Sequence, residues 1–279
     1  MSGPNSASVV MMDYDMPARV KPYKTRFASG KARLAIYPHA ARPNVGWDGL
    51  LEKSPYICCI FVGAEGHIEI LKRIGITHPM FASGWAYCQQ KEFIPNPKPK
   101  KILFAPIHPT RRGFLAKVDA DINLRAFQKL LSVRDQFEIT VRHIQSLERN
   151  GLPFVEGIEY IDATTDLRKS TACVDENDVV VGHQTIAYIG IARGKPTIMM
   201  GEDVPPRNGS CENDFQFVRN FDKYKDLLMF PYDILAEDDT MSLIQKAAIS
   251  DMEIQDWKNR LIGNPFNPKI VSDAVISFL

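Results

Sequence analysis

Asp178-Val-Val-Val-Gly-His-Gln-Thr-Ile-Ala-Tyr-Ile-Gly-Ile-Ala-Arg-Gly-Lys-Pro-Thr-Ile-Met-Met200 is the stretch on which the fold reading turns. Three consecutive valines after Asp178 make a short apolar run closed by Gly182, as in a strand buried on both faces. Residues 183–193 are small and aliphatic and read as a helix. Gly194 stands where a helix ends in a left-handed turn. Pro196-Thr-Ile-Met-Met200 then resumes as a strand. Strand, helix and strand in succession predict a βαβ unit and a parallel sheet.

Working outward, the same alternation continues. Lys101-Ile-Leu-Phe-Ala105 and Phe137-Glu-Ile-Thr-Val141 read as strands, and Gly157-Ile-Glu-Tyr-Ile161 as another. Helices are expected over 121–132, where Leu124, Phe127, Leu130 and Leu131 recur at helical spacing, over 166–174, and over 241–262. Asp119-Ala-Asp121 is expected to cap the first of these. Toward the N-terminus, residues 33–37, 56–62 and 78–82 read as strands. Residues 64–74 read as a helix with Ile68, Leu71 and Ile74 inward, ended by Gly75. Pro95, Pro97 and Pro99 forbid regular structure, so 93–101 reads as an interdomain linker. The expected organisation is a loose arm over 1–18, a small N-terminal α/β domain over 19–97, and a larger C-terminal α/β domain over 98–279.

The chain has 279 residues, 45% hydrophobic and 24% charged, which is ordinary globular usage and excludes a disordered, collagen-like or coiled-coil protein. Its net charge is +1, but unevenly distributed. Residues 1–100 hold 13 Lys/Arg against 7 Asp/Glu, and the remainder holds 21 against 26. The longest apolar run, Tyr56 to Ala64, falls far short of the ~20 residues of a spanning helix. The five cysteines include no C-x-x-C, so a disulfide framework or cysteine zinc site is not expected, and a reducing cytoplasm is. Cys58 and Cys59 read as core. No H-E-x-x-H, G-x-x-x-x-G-K-[ST] or G-x-G-x-x-G occurs, so no metal, P-loop or Rossmann dinucleotide site is expected.

Parallel α/β sheets bind ligands beyond the carboxyl ends of their strands. The segments expected there hold four of the six histidines: His39, His108, His143 and His183. Gly182-His183-Gln184-Thr185 joins a buried strand to a helix start, whose free N–H groups and partial positive charge suit a phosphate. Arg111 and Arg112, after His108, suit a diphosphate.

The run 178–200 resembles the donor-binding core of GT-B glycosyltransferases: a strand, a polar turn, a helix of small residues, then Gly194-Lys195-Pro196 and another strand. Residues 101–109 resemble the opening strand of that C-terminal domain, and 137–143 its second. The similarity covers roughly residues 100–210 and extends to sugar-nucleotide epimerases and glycerophosphotransferases. The resemblance implies two Rossmann-like domains facing a cleft, with a reduced N-terminal domain, and metal-independent binding of a nucleotide-diphosphate sugar. It implies glycosyl transfer with no further cofactor. On that reading Gly182, His183, Gln184 and Thr185 hold the diphosphate with His108, Arg111 or Arg112. His143 lies near the base, and Glu202 or Asp203 near the sugar. His39, with Asp48 as its rival, is the general base toward an acceptor hydroxyl. An epimerase or phosphotransferase, or a binder without catalysis, is the alternative.

Residues 19–33 carry six basic and no acidic side chains, Arg19, Lys21, Lys24 and Arg26 among them. Either this is a solvated face, or it seats a polyanionic acceptor such as DNA bearing a modified base.

Overall fold

Every strand pairing among the described residues is parallel, and each sheet is built in one of two separate units. A computed structural model describes residues 8–12, 24–37, 56–73, 75–86, 89–107, 114–144, 146–162, 167–183, 185–200 and 230–279. Chain contacts divide it into a first unit of 1–86, 205–228 and 259–279, and a second of 87–204 and 229–258. Among the described residues, no helix is long and apolar enough to cross a membrane.

The first unit carries a four-stranded sheet in chain order, β1 (Ser8–Met12), β2 (Ala32–Ile36), β3 (Ile57–Val62) and β4 (Met80–Ala82). Helix α1 (Lys24–Ala28) precedes β2, and α2 (Glu65–Arg73) joins β3 to β4. All six residues of β3 are buried, which is why Cys58 and Cys59 lie in the core. Both are free thiols. In α2, Ile68, Ile70 and Leu71 are buried.

The second unit carries a five-stranded sheet in the order β7-β6-β5-β8-β9. Its elements are β5 (Lys101–Ala105), α3 (Phe114–Leu131), β6 (Glu138–His143), β7 (Glu159–Asp162), α4 (Leu167–Asp175), β8 (Val179–Gly182), α5 (Thr185–Ala192) and β9 (Thr197–Met199). Numbered from β5, that order is 3-2-1-4-5, the arrangement of a Rossmann half-sheet. The central strand is dry: Ile102, Leu103 and Phe104 are wholly buried, and Phe104 stacks on Phe127 of α3 with ring centroids 5.7 Å apart. Helices α6 (Thr240–Ile249) and α7 (Asp251–Leu261) follow, then α8 (Pro268–Ser277).

Five sequence-based expectations are corrected. The arm is not loose throughout, because Val9, Val10, Met11 and Met12 pair in register with Arg33 to Ile36 as β1. The C-terminal domain does not run to 279. Residues 259–279 return to the first unit, where Ala274, Val271, Val275 and Phe278 of the α8 region pack with Cys58, Cys59 and Phe61. The proline-rich segment is a strap of the second unit rather than a linker. Lys91 N–H donates to Ala192 O at 2.8 Å and Asn96 N–H to Ala248 O at 2.8 Å. The expected helix 241–262 is two helices. Ser250 opens the second, and its hydroxyl donates to Glu253 three residues on, at 2.5 Å, an S-x-x-E capping pattern inside an otherwise helical run. Finally, α3 begins at Phe114. No Gly or Pro lies between Phe114 and Leu131, so Asp119 and Asp121 fall within the helix rather than at its cap.

His67, in α2, is 2% exposed, and its Nε2 has no hydrogen-bond partner among the described residues. Burial pushes its pKa down from 6.5 to about 3. The unfolded chain takes up a proton near pH 6.5 and the folded chain does not, so stability falls as pH drops from above 6.5 toward 3. Between pH 7 and pH 5 the loss is about 2 kcal/mol at 1.36 kcal/mol per pH unit. Chemical denaturation at both pH values checks this: His67→Gln should shed that part of the acid sensitivity, and an unchanged difference would refute the assignment.

Candidate functional site

The site is built where the chain reverses its direction of travel across the second sheet. From β5 the chain moves to β6 and then to β7. It next crosses back through α4 to place β8 on the other side of β5. A crevice forms outside the carboxyl ends of the two strands at such a switch point, because their connections depart in opposite directions. Here the two strands are β5 and β8, with Ala105 opposite Gly182.

At that point β8 runs directly into α5. Val179 to Gly182 are buried, His183 is half-buried, and Thr185 opens the helix with its side chain exposed. From Ile186 to Ala192 every residue of α5 is buried. The helix is therefore clamped between sheet and core, with only its first residue, Thr185, exposed. Gly190 allows this close seating, since a Cβ there would lie 2.7 Å from Thr197 Oγ1 and 3.2 Å from Val180 Cβ. The free N–H groups of the first turn carry partial positive charge.

His143 ends β6, on the other side of β5, opposite Asp162 of β7. It is half-buried, and its ring meets Tyr160 edge-on at 6.4 Å. Two strand spacings separate the ends of β6 and β8, about 10 Å. The structure thus brings Gly182, His183, Thr185 and His143 to one edge of one sheet. Lys24 and Arg26 belong to α1 in the first unit. Arg26 donates to Ser8 Oγ at 2.8 Å and ties α1 to β1. His39, Asp48, His108, Arg111, Arg112, Gln184, Glu202, Asp203, Arg19 and Lys21 lie outside the described residues. Among the described residues, no group of three or more His, Cys, Asp or Glu could hold a metal ion.

The apolar spacing of α3 hid one polar residue. Leu124 is only half-buried, whereas Asn123 is 1% exposed and forms part of the inward face. An asparagine four residues before Phe127, in line with the buried stripe, was the signal available.

The opposite edge of the sheet is structural. Gly194 has φ +70° as its helix-ending role requires. Arg193 forms a two-pronged pair with Asp175 and donates from Nη1 to Gln89 O at 2.8 Å. That guanidinium holds the Asp175 carboxyl below its ordinary pKa. Lys195 donates to Asp175 O at 2.9 Å and Asn177 O at 2.7 Å, the open carbonyls at the end of α4. Burial lowers its pKa. Gly194-Lys195-Pro196 therefore supports the fold from the side away from His183. A groove of ≈ 750 Å³ beside Glu138, Glu159 and Glu176 also lies on this amino-terminal edge, apart from the switch point.

No family model matches the sequence, and no curated protein matches it. Solved structures do resemble it. The S. aureus MnaA–UDP co-structure is 11% identical with TM-score 0.54, covering 97% of this chain and 74% of that one. The putative UDP-N-acetylglucosamine 2-epimerase from Listeria monocytogenes is 12% identical with TM-score 0.54, covering 97% and 73%. An S. aureus TarM mutant in complex with fondaparinux, alpha-GlcNAc-glycerol and UDP is 12% identical with TM-score 0.48, covering 99% and 56%. The fold is of the GT-B type, α/β with parallel sheets, and the chain spans about three quarters of the length of the first two of these structures.

Lys195→Ala removes the donor to two carbonyls and should lower stability by about 1–3 kcal/mol. Thermal denaturation reads the loss. Because the residue stands on the supporting edge, affinity for any ligand at the His183 edge should stay as it was; a selective loss of that affinity with normal stability would place Lys195 in the site.

Proposed function

We propose that this protein is an enzyme acting on a nucleotide-diphosphate sugar, and that it transfers the sugar to an acceptor hydroxyl. The observation that carries the reading is the Gly182-His183 turn at the β5/β8 switch point, leading straight into the clamped and otherwise buried helix α5. In this reading the diphosphate sits on the first turn of α5. Breaking the bond between sugar and diphosphate leaves negative charge on the departing group. N–H groups already fixed in direction stabilise that charge without reorganising. His183, Gln184 and Thr185 add hydrogen bonds, and His108, Arg111 and Arg112 add donors from the segment after β5. His143 lies one strand beyond β5, toward the nucleoside, and Glu202 or Asp203 contacts the sugar. His39 or Asp48 takes the proton of the acceptor hydroxyl. No metal or further cofactor has a part in this scheme.

A second reading is favoured by the two likenesses above TM-score 0.5, one holding UDP and the other described as a putative 2-epimerase. In it the same site serves epimerisation of the sugar. Both readings need a nucleoside diphosphate on α5 and differ in the fate of the sugar. A polyanionic acceptor, DNA included, rests on the basic stretch 19–33 alone. Arg26 is already engaged with Ser8, which leaves Arg19, Lys21 and Lys24, with Lys31 and Arg33, for that role.

A thermal-shift screen with UDP-, GDP-, CDP- and TDP-sugars tests the shared core. At a hundredfold excess over Kd the cognate nucleotide stabilises by about 2.7 kcal/mol, and the UDP series is expected to respond. No response from any of the four would end the reading. With the responding donor, free nucleotide appearing only with an acceptor supports transfer, and inversion within the sugar supports epimerisation. Turnover should survive EDTA; a loss restored by Mg²⁺ or Mn²⁺ would overturn the metal-free scheme. Thr185→Leu should weaken nucleotide binding about tenfold or more by crowding the helix start, as read by calorimetry, with the melting temperature unchanged.

A further inference from the structure

We infer that Asn123 is a positioning residue that holds the segment after β5 and the segment after β6 in one fixed relation, so that both sides of the nucleotide site are set from a single buried amide. The inference rests on the nucleotide reading above and goes beyond it by assigning a residue that contacts no ligand.

Asn123 lies on the buried face of α3, 1% exposed. Its Oδ1 accepts from Ile107 N–H at 2.7 Å, and its Nδ2 donates to Ile107 O at 3.1 Å. The same Nδ2 donates to Asn150 O at 2.9 Å. One amide thus satisfies both backbone groups of Ile107, the residue just before His108, as a neighbouring strand would. It also reaches the segment after β6. There Asn150, itself 1% exposed, donates from Nδ2 to Ile144 O and Ser146 O, both at 2.8 Å. Ile144 directly follows His143. The relay therefore runs from the residue before His108, through Asn123 and Asn150, to the residue after His143.

Position and chemistry distinguish this from ordinary core satisfaction. A buried polar side chain costs free energy unless it is bonded, and an apolar residue would fill the same stripe of α3 without that cost. Asn123 spends its bonds on carbonyls and an N–H at the carboxyl edge, where neither strand can supply partners. A planar amide bonded at both ends fixes direction as well as distance, and an error of ~1 Å in a binding group is costly.

The test uses the full chain, with UDP as the probe. Asn123→Ala and Asn150→Ala are compared with Phe127→Leu, a core change on the same helix that leaves the relay intact. Melting temperatures and UDP affinity are measured at a temperature where all variants are folded. Positioning predicts affinity lower by about tenfold or more in Asn123→Ala, and wild-type affinity in Phe127→Leu at comparable loss of stability. Asn123→Asp adds a pH profile. Its carboxyl, when protonated, can still accept from Ile107 N–H and donate to a carbonyl; when ionised it faces two carbonyl oxygens. Its affinity relative to wild type should therefore be nearer normal at pH 5.5 than at pH 8, whereas the ratio for Asn123→Ala should not change. Wild-type affinity in Asn123→Ala, or parallel losses in Phe127→Leu, would overturn the inference. If the wild type binds none of UDP, GDP, CDP and TDP, the functional reading falls by itself and amide exchange decides the relay; if it binds another of the four, that nucleotide replaces UDP as the probe. Joint acceleration at Ile107 and across 146–151 in Asn123→Ala sustains it, and acceleration at Ile107 alone refutes it.

Discussion

Parallel pairing of β5 with both β6 and β8 is the constraint on which the second unit depends. Parallel strands cannot be joined by a hairpin, so each connection must leave one edge of the sheet and return to the other. With β5 in the centre, Ile102, Leu103 and Phe104 are enclosed on both faces and by strands on both sides. The pairing is anchored at its start by Asp178, whose Oδ2 accepts from Lys100 N–H at 2.7 Å and Lys101 N–H at 2.9 Å. From that anchor the register places Ala105 against Gly182 at the far end. At that end the order of the strands sends the chain to opposite sides of β5, the condition for a ligand crevice in sheets of this kind, and Thr185 at the start of α5 is exposed.

Among the described residues, different side chains hold the two edges of this sheet. On the amino-terminal edge, Arg193, Asp175 and Lys195 bind one another and the carbonyls ending α4, and Lys258 donates to Lys91 O at 2.6 Å. Charges there are consumed in holding the strap and the helix end. On the carboxyl edge, among the described residues, Thr185 at the start of α5 is exposed, and the neutral amides of Asn123 and Asn150 tie the segments after β5 and β6 together. Neutral donors keep two segments in place without adding a fixed charge that would compete with an anionic ligand for the same field.

The first unit is organised differently. Its strands run in chain order, so the described sheet contains no reversal and no switch point. The chain instead closes it from outside, returning at residue 259 to lay α8 against the sheet. The vicinal Cys58-Cys59 pair, odd in isolation, fills space beneath this helix with Phe61 and Ala35.

Local periodicity made much legible: the parallel α/β class, most strands within one or two residues, Gly194 as a left-handed helix end, and the Gly182–Thr185 turn as the start of a buried helix. These depend on near neighbours, through side-chain alternation, helical spacing and glycine's freedom at positive φ. Four features were decided only by the tertiary structure. Val9 to Met12 become a strand because β2 offers a free edge, and 259–279 leave the second unit because the first presents an apolar face. Lys195 serves the fold because the end of α4 presents unpaired carbonyls. Asn123 joins two site segments because it faces Ile107 and Asn150, 16 and 27 residues away in sequence. In each case the deciding partner is distant along the chain, and the energy of a contact depends on proximity in space, which short-range patterns do not encode.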